Sequence, residues 1–100
     1  MSGVLEFIEE VAGFYFRSIL LPESGMAITQ HVHDYDHATL VGSGKAALYA
    51  DGEHIGDFSA GEACEVKANT NHLFVSLEPN TRLTCIHSVE SANSIKEKGI

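Results

Sequence analysis

Short runs of alternating apolar and polar residues extend over most of this chain, and each run ends in glycine or a polar turn. Residues 14–21 alternate in this way, and Pro22 with the glycine-containing cluster after it ends the run. Asp51 and Gly52 separate two further runs, and this dipeptide strongly favours a hairpin because both central positions of the turn take positive φ. In a chain of 100 residues, this pattern predicts one all-β domain, a small barrel or sandwich.

One segment near the N-terminus departs from the alternation. Val4, Phe7, Ile8 and Val11 follow the i, i+3, i+4, i+7 spacing of an amphipathic helix, so we expect one short helix there. The tail, residues 90–100, is polar and predicts a frayed strand end or a loose helix. The segments with a strand pattern are residues 14–21, 26–33, 38–41, 45–50, 54–58, 62–67, 72–77 and 81–89.

Composition excludes several classes of partner. The formal net charge is −8, with 14 acidic residues against 6 Lys and Arg, which would repel a nucleic-acid backbone. No apolar run approaches the ~18 residues of a membrane helix, and the first residues lack a secretory signal, so we expect a cytoplasmic protein without membrane contact. Cys64 and Cys85 are too few for a disulfide framework and are predicted to be buried thiols.

The histidines are the candidate metal ligands. His31 and His33 lie two apart in an extended run, so their rings should project from one face as a chelating pair. His37 has the same parity and can join them if the chain bends at residues 34–36, while His72 would come from a distant strand. A bare H-x-H pair is more often a hydrogen-bonded structural pair, and this alternative stays open on the pair alone.

The complete spacing around these histidines resembles the cupin family. The first motif of that family is G-x5-H-x-H-x3-E-x6-G, and this chain has His37 in the glutamate place. The second motif is G-x5-P-x-G-x2-H-x3-N, of which the first glycine and the histidine are in register here. The matching residues are Gly25, His31, His33, His37 and Gly44 in the first motif, and Gly61 and His72 in the second, with Lys67, Asn69 and Ser76 in its other places.

The resemblance implies a fold and a cofactor. Its motif core covers residues 25–76 of a single cupin domain, residues 1–100, with the double-stranded β-helix, or jelly-roll barrel, of that family. It also implies one divalent transition metal ion bound by His31, His33, His37 and His72. Four neutral imidazoles leave the full charge on the ion, which makes it a stronger Lewis acid and favours zinc, nickel or iron over manganese or magnesium. Some cupins, including zinc-containing polyketide cyclases, carry four-histidine sites.

Three further residues are candidates for catalysis. Tyr35 and Asp34 adjoin the predicted ligands and could move a proton or orient an imidazole. His87 shares a strand face with Leu83 and Cys85, and that face could be the barrel interior. His54, beside the predicted hairpin turn, is expected to be exposed and outside the site.

Three classes of function remain open at this point. The first is a metalloenzyme with isomerase, lyase, cyclase or dioxygenase-type chemistry on a small molecule. The second is a non-catalytic module that binds a small ligand, and the third is a structural domain in which the metal is a staple. A homodimer is the expected assembly. For the binding module, the candidate lining residues are Phe14, Phe16, Met26, Ile28, Leu40, Leu48, Phe58 and Phe74.

Overall fold

The computed structural model describes residues 5–29, 32 and 34–88 of the chain. These residues form strands, turns and loops, with no helix among them, which confirms the all-β prediction. No helix that could cross a membrane occurs in the described part of the chain. The strands are β1 (Leu5–Val11), β2 (Phe14–Leu21), β3 (Ala27–Thr29), β4 (His37–Ser43), β5 (Lys45–Ala50), β6 (Glu53–Ser59), β7 (Ala63–Val66), β8 (His72–Ser76) and β9 (Thr81–Ser88).

The strands form two antiparallel sheets. The five-stranded sheet has the order β1-β2-β9-β4-β7, and the four-stranded sheet has the order β3-β8-β5-β6. Alternate residues of each sheet face the interior, as the period of a strand requires. The apolar core that joins the sheets contains Ile19, Leu21, Val41 and Leu83 from the larger sheet and Leu48 and Phe74 from the smaller.

The predicted N-terminal helix is wrong, because residues 5–11 form β1. This strand pairs along its whole length with β2, from Leu5 opposite Leu20 to Val11 opposite Phe14. The turn between them consists of Ala12 and Gly13, both with positive φ (51° and 82°), which suits a tight hairpin. The segment is too short to be a stable helix alone, and the ladder with β2 gives its backbone the hydrogen bonds that a helix would have made.

Most of the other predicted strands are confirmed, with shifts of one or two residues at their ends. The hairpin turn at Asp51 and Gly52 is present, with φ values of 50° and 83°. Strand β4 ends just before Gly44, which has a φ of 73° and where a side-chain carbon would lie 2.8 Å from the Thr81 Cα. Only glycine fits that approach. The predictions for residues 30, 31 and 33 and for the tail fall outside the described residues.

The two cysteines are buried free thiols, as predicted. Cys64 on β7 and Cys85 on β9 both pair with Thr39, which lies on β4 between them. The Thr39 hydroxyl donates to the Cys85 sulfur at 3.5 Å, and the Cys64 thiol donates to the Thr39 carbonyl at 3.6 Å. Burial, and then the neighbouring Cys85, raise the pKa of Cys64 to about 11. These residues therefore continue the core between the three strands.

Candidate functional site

Two of the four predicted metal ligands belong to the part of the chain that the structure describes. His37 is the first residue of β4 and His72 is the first residue of β8, and both side chains are buried. Both ring nitrogens of His37 are shielded from solvent. His31 and His33 lie outside the described residues, so their placement stays a prediction.

His37 and His72 start strands of opposite sheets at the same end of the barrel. His37 pairs with Val66, the last residue of β7, and the loop 67–71 leads directly from there to His72. The predicted bend before His37 is present at Asp34 and Tyr35. Asp36 fastens this bend to the loop, since its carboxylate accepts the backbone N–H of Ala68 at 2.7 Å. The two chain segments that supply the histidines are thus tied together.

A second imidazole lies beside His37 on the inner face of the five-stranded sheet. The ring centroids of His37 and His87 are 4.3 Å apart, with 33° between the ring planes. The Tyr35 hydroxyl lies 3.3 Å from Nδ1 of His87, and the two rings meet edge to face. Tyr15 on β2 pairs with His87 in the sheet register, and its ring centroid is 5.7 Å from that of His87. We call these four residues the imidazole–phenol cluster.

Tyr35 retains its phenol proton in the contact with His87. Burial of the phenol, and then the negative charge of Asp34 and the neighbouring Tyr15, raise the pKa of Tyr35 to about 12. The phenol therefore keeps its proton at neutral pH and can donate it to Nδ1 of His87. In that arrangement the imidazole proton resides on Nε2, which leaves an N–H donor on the other side of the ring.

The three predicted catalytic residues differ in their burial and contacts. Tyr35 and His87 contact each other on the inner side of the five-stranded sheet. The alternation with Leu83 and Cys85 correctly predicted that the His87 side chain points inward. Asp34 is exposed, and its negative charge helps to raise the pKa of Tyr35.

The remaining member of the cluster, Tyr15, was missed by the sequence reasoning. The sequence contained a signal for Tyr15, because its position in the alternation matches that of the inward residues Ile19 and Leu21. In the structure Tyr15 lies opposite His87 in the β2–β9 register. The pairing of β2 with β9 was the information that the sequence reasoning lacked.

The His72 side chain is held by the loop before it. The Thr70 hydroxyl donates to the Lys67 carbonyl at 2.6 Å, so its oxygen is left to accept a proton from a ring nitrogen of His72, which lies 3.2 Å away. Asn69, in the glycine place of the second motif, has a φ of 59°. Asparagine tolerates this conformation better than most residues, so the departure from the motif preserves the turn.

The fit to a metal ion is incomplete on the described residues alone. In the stretches 5–29 and 34–88, no group of three or more His, Cys, Asp or Glu side chains is arranged to hold one. The chemistry of the donors is suitable, since His37 and His72 are buried imidazoles at one end of the barrel. A closed ligand set therefore requires His31 and His33.

A pocket of about 490 Å³ opens beside His72. It lies between β6 and β7, the strands at neighbouring edges of the two sheets. Its wall is mostly apolar, and Glu65 and Lys67, an ion pair at 2.7 Å, also line it. The apolar lining residues are Leu48, Ala50, Ile55, Phe58, Ala63 and Cys64.

The predicted pocket lining is correct only in part. Leu48 and Phe58 line the pocket beside His72, whereas Phe74 is fully buried in the core. Met26 and Ile28 pack against that core. Phe14, Phe16 and Leu40 were predicted wrongly, because they alternate with the inward residues of β2 and β4 and lie on the outer side of the five-stranded sheet. His54 is exposed, as expected, and contacts the Asp57 carboxylate at 2.8 Å.

Several solved structures resemble this chain. KdgF from Halomonas sp. has a TM-score of 0.71 and 20% identity, over 86% of this chain and 78% of that chain. A cupin superfamily protein from Desulfitobacterium hafniense DCB-2 has a TM-score of 0.70 and 16% identity, over 86% and 77%. A cupin-2 domain containing protein from Shewanella frigidimarina NCIMB 400 has 0.65 and 16%, over 84% and 79%. The chain therefore has the jelly-roll fold of cupins. Neither protein-family models nor curated protein sequences gave a match.

Proposed function

We propose that this chain is a small cupin that binds a small polar organic molecule inside its barrel, with one divalent transition metal ion, zinc, nickel or iron, at the site. The observation that carries the proposal is the close, tilted pair of the His37 and His87 rings, with the Tyr35 hydroxyl 3.3 Å from Nδ1 of His87. Burying imidazole and phenol groups stabilises a fold less than burying apolar side chains, so their concentration at one end of the barrel favours a functional role.

The proposed metal ligands are His31, His33, His37 and His72. An ion bound there would act as a Lewis acid that polarises a carbonyl or stabilises a developing oxyanion. The four ligands are neutral, which leaves the charge of the ion undiminished. Isomerase, lyase and cyclase reactions are compatible with this chemistry, and a dioxygenase-type reaction is compatible with it if the metal is iron.

The chain's own groups would handle protons beside that position. With the Tyr35 phenol donating to Nδ1, the His87 ring presents its Nε2–H as a donor, and accepting a proton at Nδ1 would require the phenol to swing away. Tyr15 packs against the same ring and limits its rotation. The pair would therefore orient a polar ligand and exchange a proton with it.

Metal analysis of protein purified without added metal tests the proposal. We expect about one equivalent in the wild type, and a loss of most of it in His33→Ala, His37→Ala and His72→Ala, because removing one of four ligands strongly weakens a site. His54→Ala is the matched control, since His54 is an exposed histidine engaged only near the surface. Full metal content in all three ligand variants would contradict the site, and so would a metal-free wild type after reconstitution with zinc, nickel and iron(II).

Tyr35→Phe separates the proton-handling role from metal binding. This variant should keep its metal, since Tyr35 is not a proposed ligand, but the NMR signals of the His87 ring should change because Nδ1 loses the phenol proton. Loss of the metal in Tyr35→Phe would contradict the separation of the two roles.

Ligand binding without catalysis is the second candidate, and the 490 Å³ pocket favours it. Its mostly apolar wall with a few polar groups is typical of a small-molecule site. Ala50→Phe, which lies opposite His72 and lines the pocket, should fill it and abolish the binding of small polar fragments in a ligand-observed NMR screen. Ala60→Phe, on the turn before β7, is the control and should leave binding intact. Equal binding by both variants would place the ligand elsewhere.

A chelator experiment distinguishes the structural alternative. If the metal were only a staple, EDTA would unfold the domain and no fragment would bind the folded protein. The proposed function predicts that the core of both sheets keeps the metal-free protein folded, with a lower melting temperature.

A further inference from the structure

The 490 Å³ pocket beside His72, which we call the side pocket, extends along the strands. His72 stands opposite Ala50 on β5, and Leu48 lies two residues further along that strand. Phe58 on β6 lies opposite Ala46, two residues further still. The lining residues therefore extend from the level of Ala50 to the level of Ala46, which is ~13 Å along β5. A ligand bound at His72 can thus reach well beyond the candidate site.

The side pocket lies at the seam between the two sheets. β6 pairs with β5 and β7 pairs with β4, so the two strands on its sides belong to different sheets. The turn that joins them is fixed to β4 by backbone hydrogen bonds, from Gly61 to the Val41 carbonyl at 2.8 Å and from Val41 to the Glu62 carbonyl at 2.9 Å. The Phe58 end of the pocket therefore lies next to a fixed turn, and the other end reaches His72.

Few side chains of the side pocket can form hydrogen bonds with a ligand. Its apolar lining residues include Cys64, whose thiol already donates to the Thr39 carbonyl. Glu65 and Lys67 are paired with each other, so their charges cancel. His72 is the remaining polar residue of the lining set, and it lies at the end that meets the candidate site. The body of the pocket is therefore suited to a hydrocarbon group.

The apolar wall of the side pocket is only partly covered by the protein itself. Ile55 is 54% exposed although it lines the pocket. A hydrocarbon group placed against it would remove this surface from water, which favours binding. A sugar-like ligand would instead bring hydroxyl groups against apolar side chains, and each hydroxyl left without a partner costs affinity. The wall thus discriminates between two classes of small polar molecule.

The His72 end of the side pocket requires a different chemical group. His37 and His72 are buried imidazoles at this end of the barrel, where the proposed function puts a divalent metal ion. An ion with neutral ligands keeps its full positive charge, and a carboxylate supplies both an oxygen ligand and a compensating negative charge. The preferred head group is therefore a carboxylate, and this step rests on the proposed function.

We propose that the ligand of this site is a monocarboxylate with a hydrocarbon arm. Its carboxylate lies beside His72 at the position proposed for the metal, and its arm fills the side pocket from Ala50 towards Phe58. The arm depends on the pocket wall and the head group depends on the metal site, so the two parts can be tested separately.

A series of straight-chain acids tests the arm. Acetate, butanoate, hexanoate, heptanoate and octanoate are titrated against zinc-reconstituted protein and followed by ligand-observed NMR. Beyond butanoate, we expect the affinity to rise about fourfold for each added methylene, since each one leaves water for the pocket. The hydroxy acid in which a hydroxyl replaces the terminal methyl of heptanoate should bind at least about tenfold more weakly than heptanoate, because that hydroxyl loses water without gaining a partner.

The metal-free protein separates this inference from the proposed function. Removal of zinc should weaken the binding of all these acids, including acetate, by a similar factor, and the increment per methylene should persist. If acetate binding depended on zinc but the affinities for butanoate and octanoate agreed within about twofold, the arm would be wrong and the metal site would stand. If the increment persisted and zinc had no effect, the metal site would be wrong and the arm would stand.

Two matched variants locate the arm. Ile55→Gln makes the wall of the side pocket polar and should lower the ratio of octanoate affinity to butanoate affinity at least about fivefold. Ile8→Gln changes the same residue type at similar exposure (58%) on β1 and should keep the ratio of the wild type. Ile55→Thr serves if Ile55→Gln does not fold, which circular dichroism would reveal. Equal ratios in the Ile55 and Ile8 variants, or equal affinities for heptanoate and its hydroxy analogue, would overturn the proposal.

Discussion

The two faces of the five-stranded sheet differ in polarity, and the difference is partly the reverse of the usual one. An antiparallel sheet with one side against the core usually turns apolar residues inward and polar residues outward. Here Phe14 and Phe16 point outward while Tyr15 and His87, on the same pair of strands, point inward. The inner face therefore carries the polar residues of the candidate site, and the outer face carries partly exposed apolar side chains.

The inner face is itself divided along its length. At one end Ile19, Leu21 and Leu83 are fully buried in the core, and at the other end His37 and His87 form the imidazole pair. The apolar half supplies stability, and this allows the other half to hold polar groups that stabilise the fold little. The apolar core and the candidate site thus lie at opposite ends of the same strands.

Leucines 20 and 21 give the sharpest contrast between the faces. Leu21 is fully buried and Leu20 is half-buried on the outer side, although the two are neighbours on β2. We expect Leu21→Ala to lower the free energy of unfolding by about 3 kcal/mol and Leu20→Ala by about 1 kcal/mol or less, since the cost follows the cavity left behind. Urea unfolding at low micromolar concentration measures both values. Equal losses would mean that the two faces are equally buried.

The fold was largely predictable because strand periodicity is a local signal. The limits of β2 and β5 and the start of β9 followed from alternation and turn residues, and the Asp51 and Gly52 hairpin followed from turn chemistry. The strand β1 was missed because its apolar residues satisfy a helical spacing as well, and only its pairing with β2 decides between the two.

The burial of several candidate residues was predictable from the sequence, but their arrangement was not. Parity placed His87 inward, and motif spacing selected His37 and His72, both of which are buried. The contact of Tyr35 with His87 joins residues far apart in sequence and depends on strand order, which no local pattern encodes. The same limitation explains Phe14 and Phe16, since alternation shows that two faces exist but does not say which one is inside.

The reactivity of thiols should differ between the two sides of the five-stranded sheet, because the inner side is shielded from water. The raised pKa of Cys64, about 11, means that its reactive thiolate is scarce at neutral pH. We expect iodoacetamide to modify Cys64 at pH 8 at least about tenfold more slowly than the outward thiol of an Ala38→Cys variant. Mass spectrometry of peptides gives both rates in one sample. Similar rates would show that the inner face admits solvent at Cys64.

The pH dependence of the same thiol has a definite sign. Because folding raises the pKa of Cys64 from 9.0, the folded state favours the neutral thiol, and its contribution to stability is complete below pH 9. That contribution is lost as the pH rises from 9 towards 11. Cys64→Ala should therefore flatten the fall in unfolding free energy across this interval, and an unchanged slope would assign the fall to other groups.

The smallest expected effect concerns hydrogen bonds of the two faces. Tyr35→Phe removes the phenol proton from His87 in a part-buried position, and we expect a loss of about 1 kcal/mol in metal-free protein. Thr84→Val removes its hydroxyl from Ser18 on the outer side and should cost less than about 0.5 kcal/mol, since water can replace the bond. Urea unfolding in EDTA compares them. If Thr84→Val proved the costlier change, the outer hydroxyl pair would be the more buried of the two, and the contrast drawn between the faces would have to be reversed at that point.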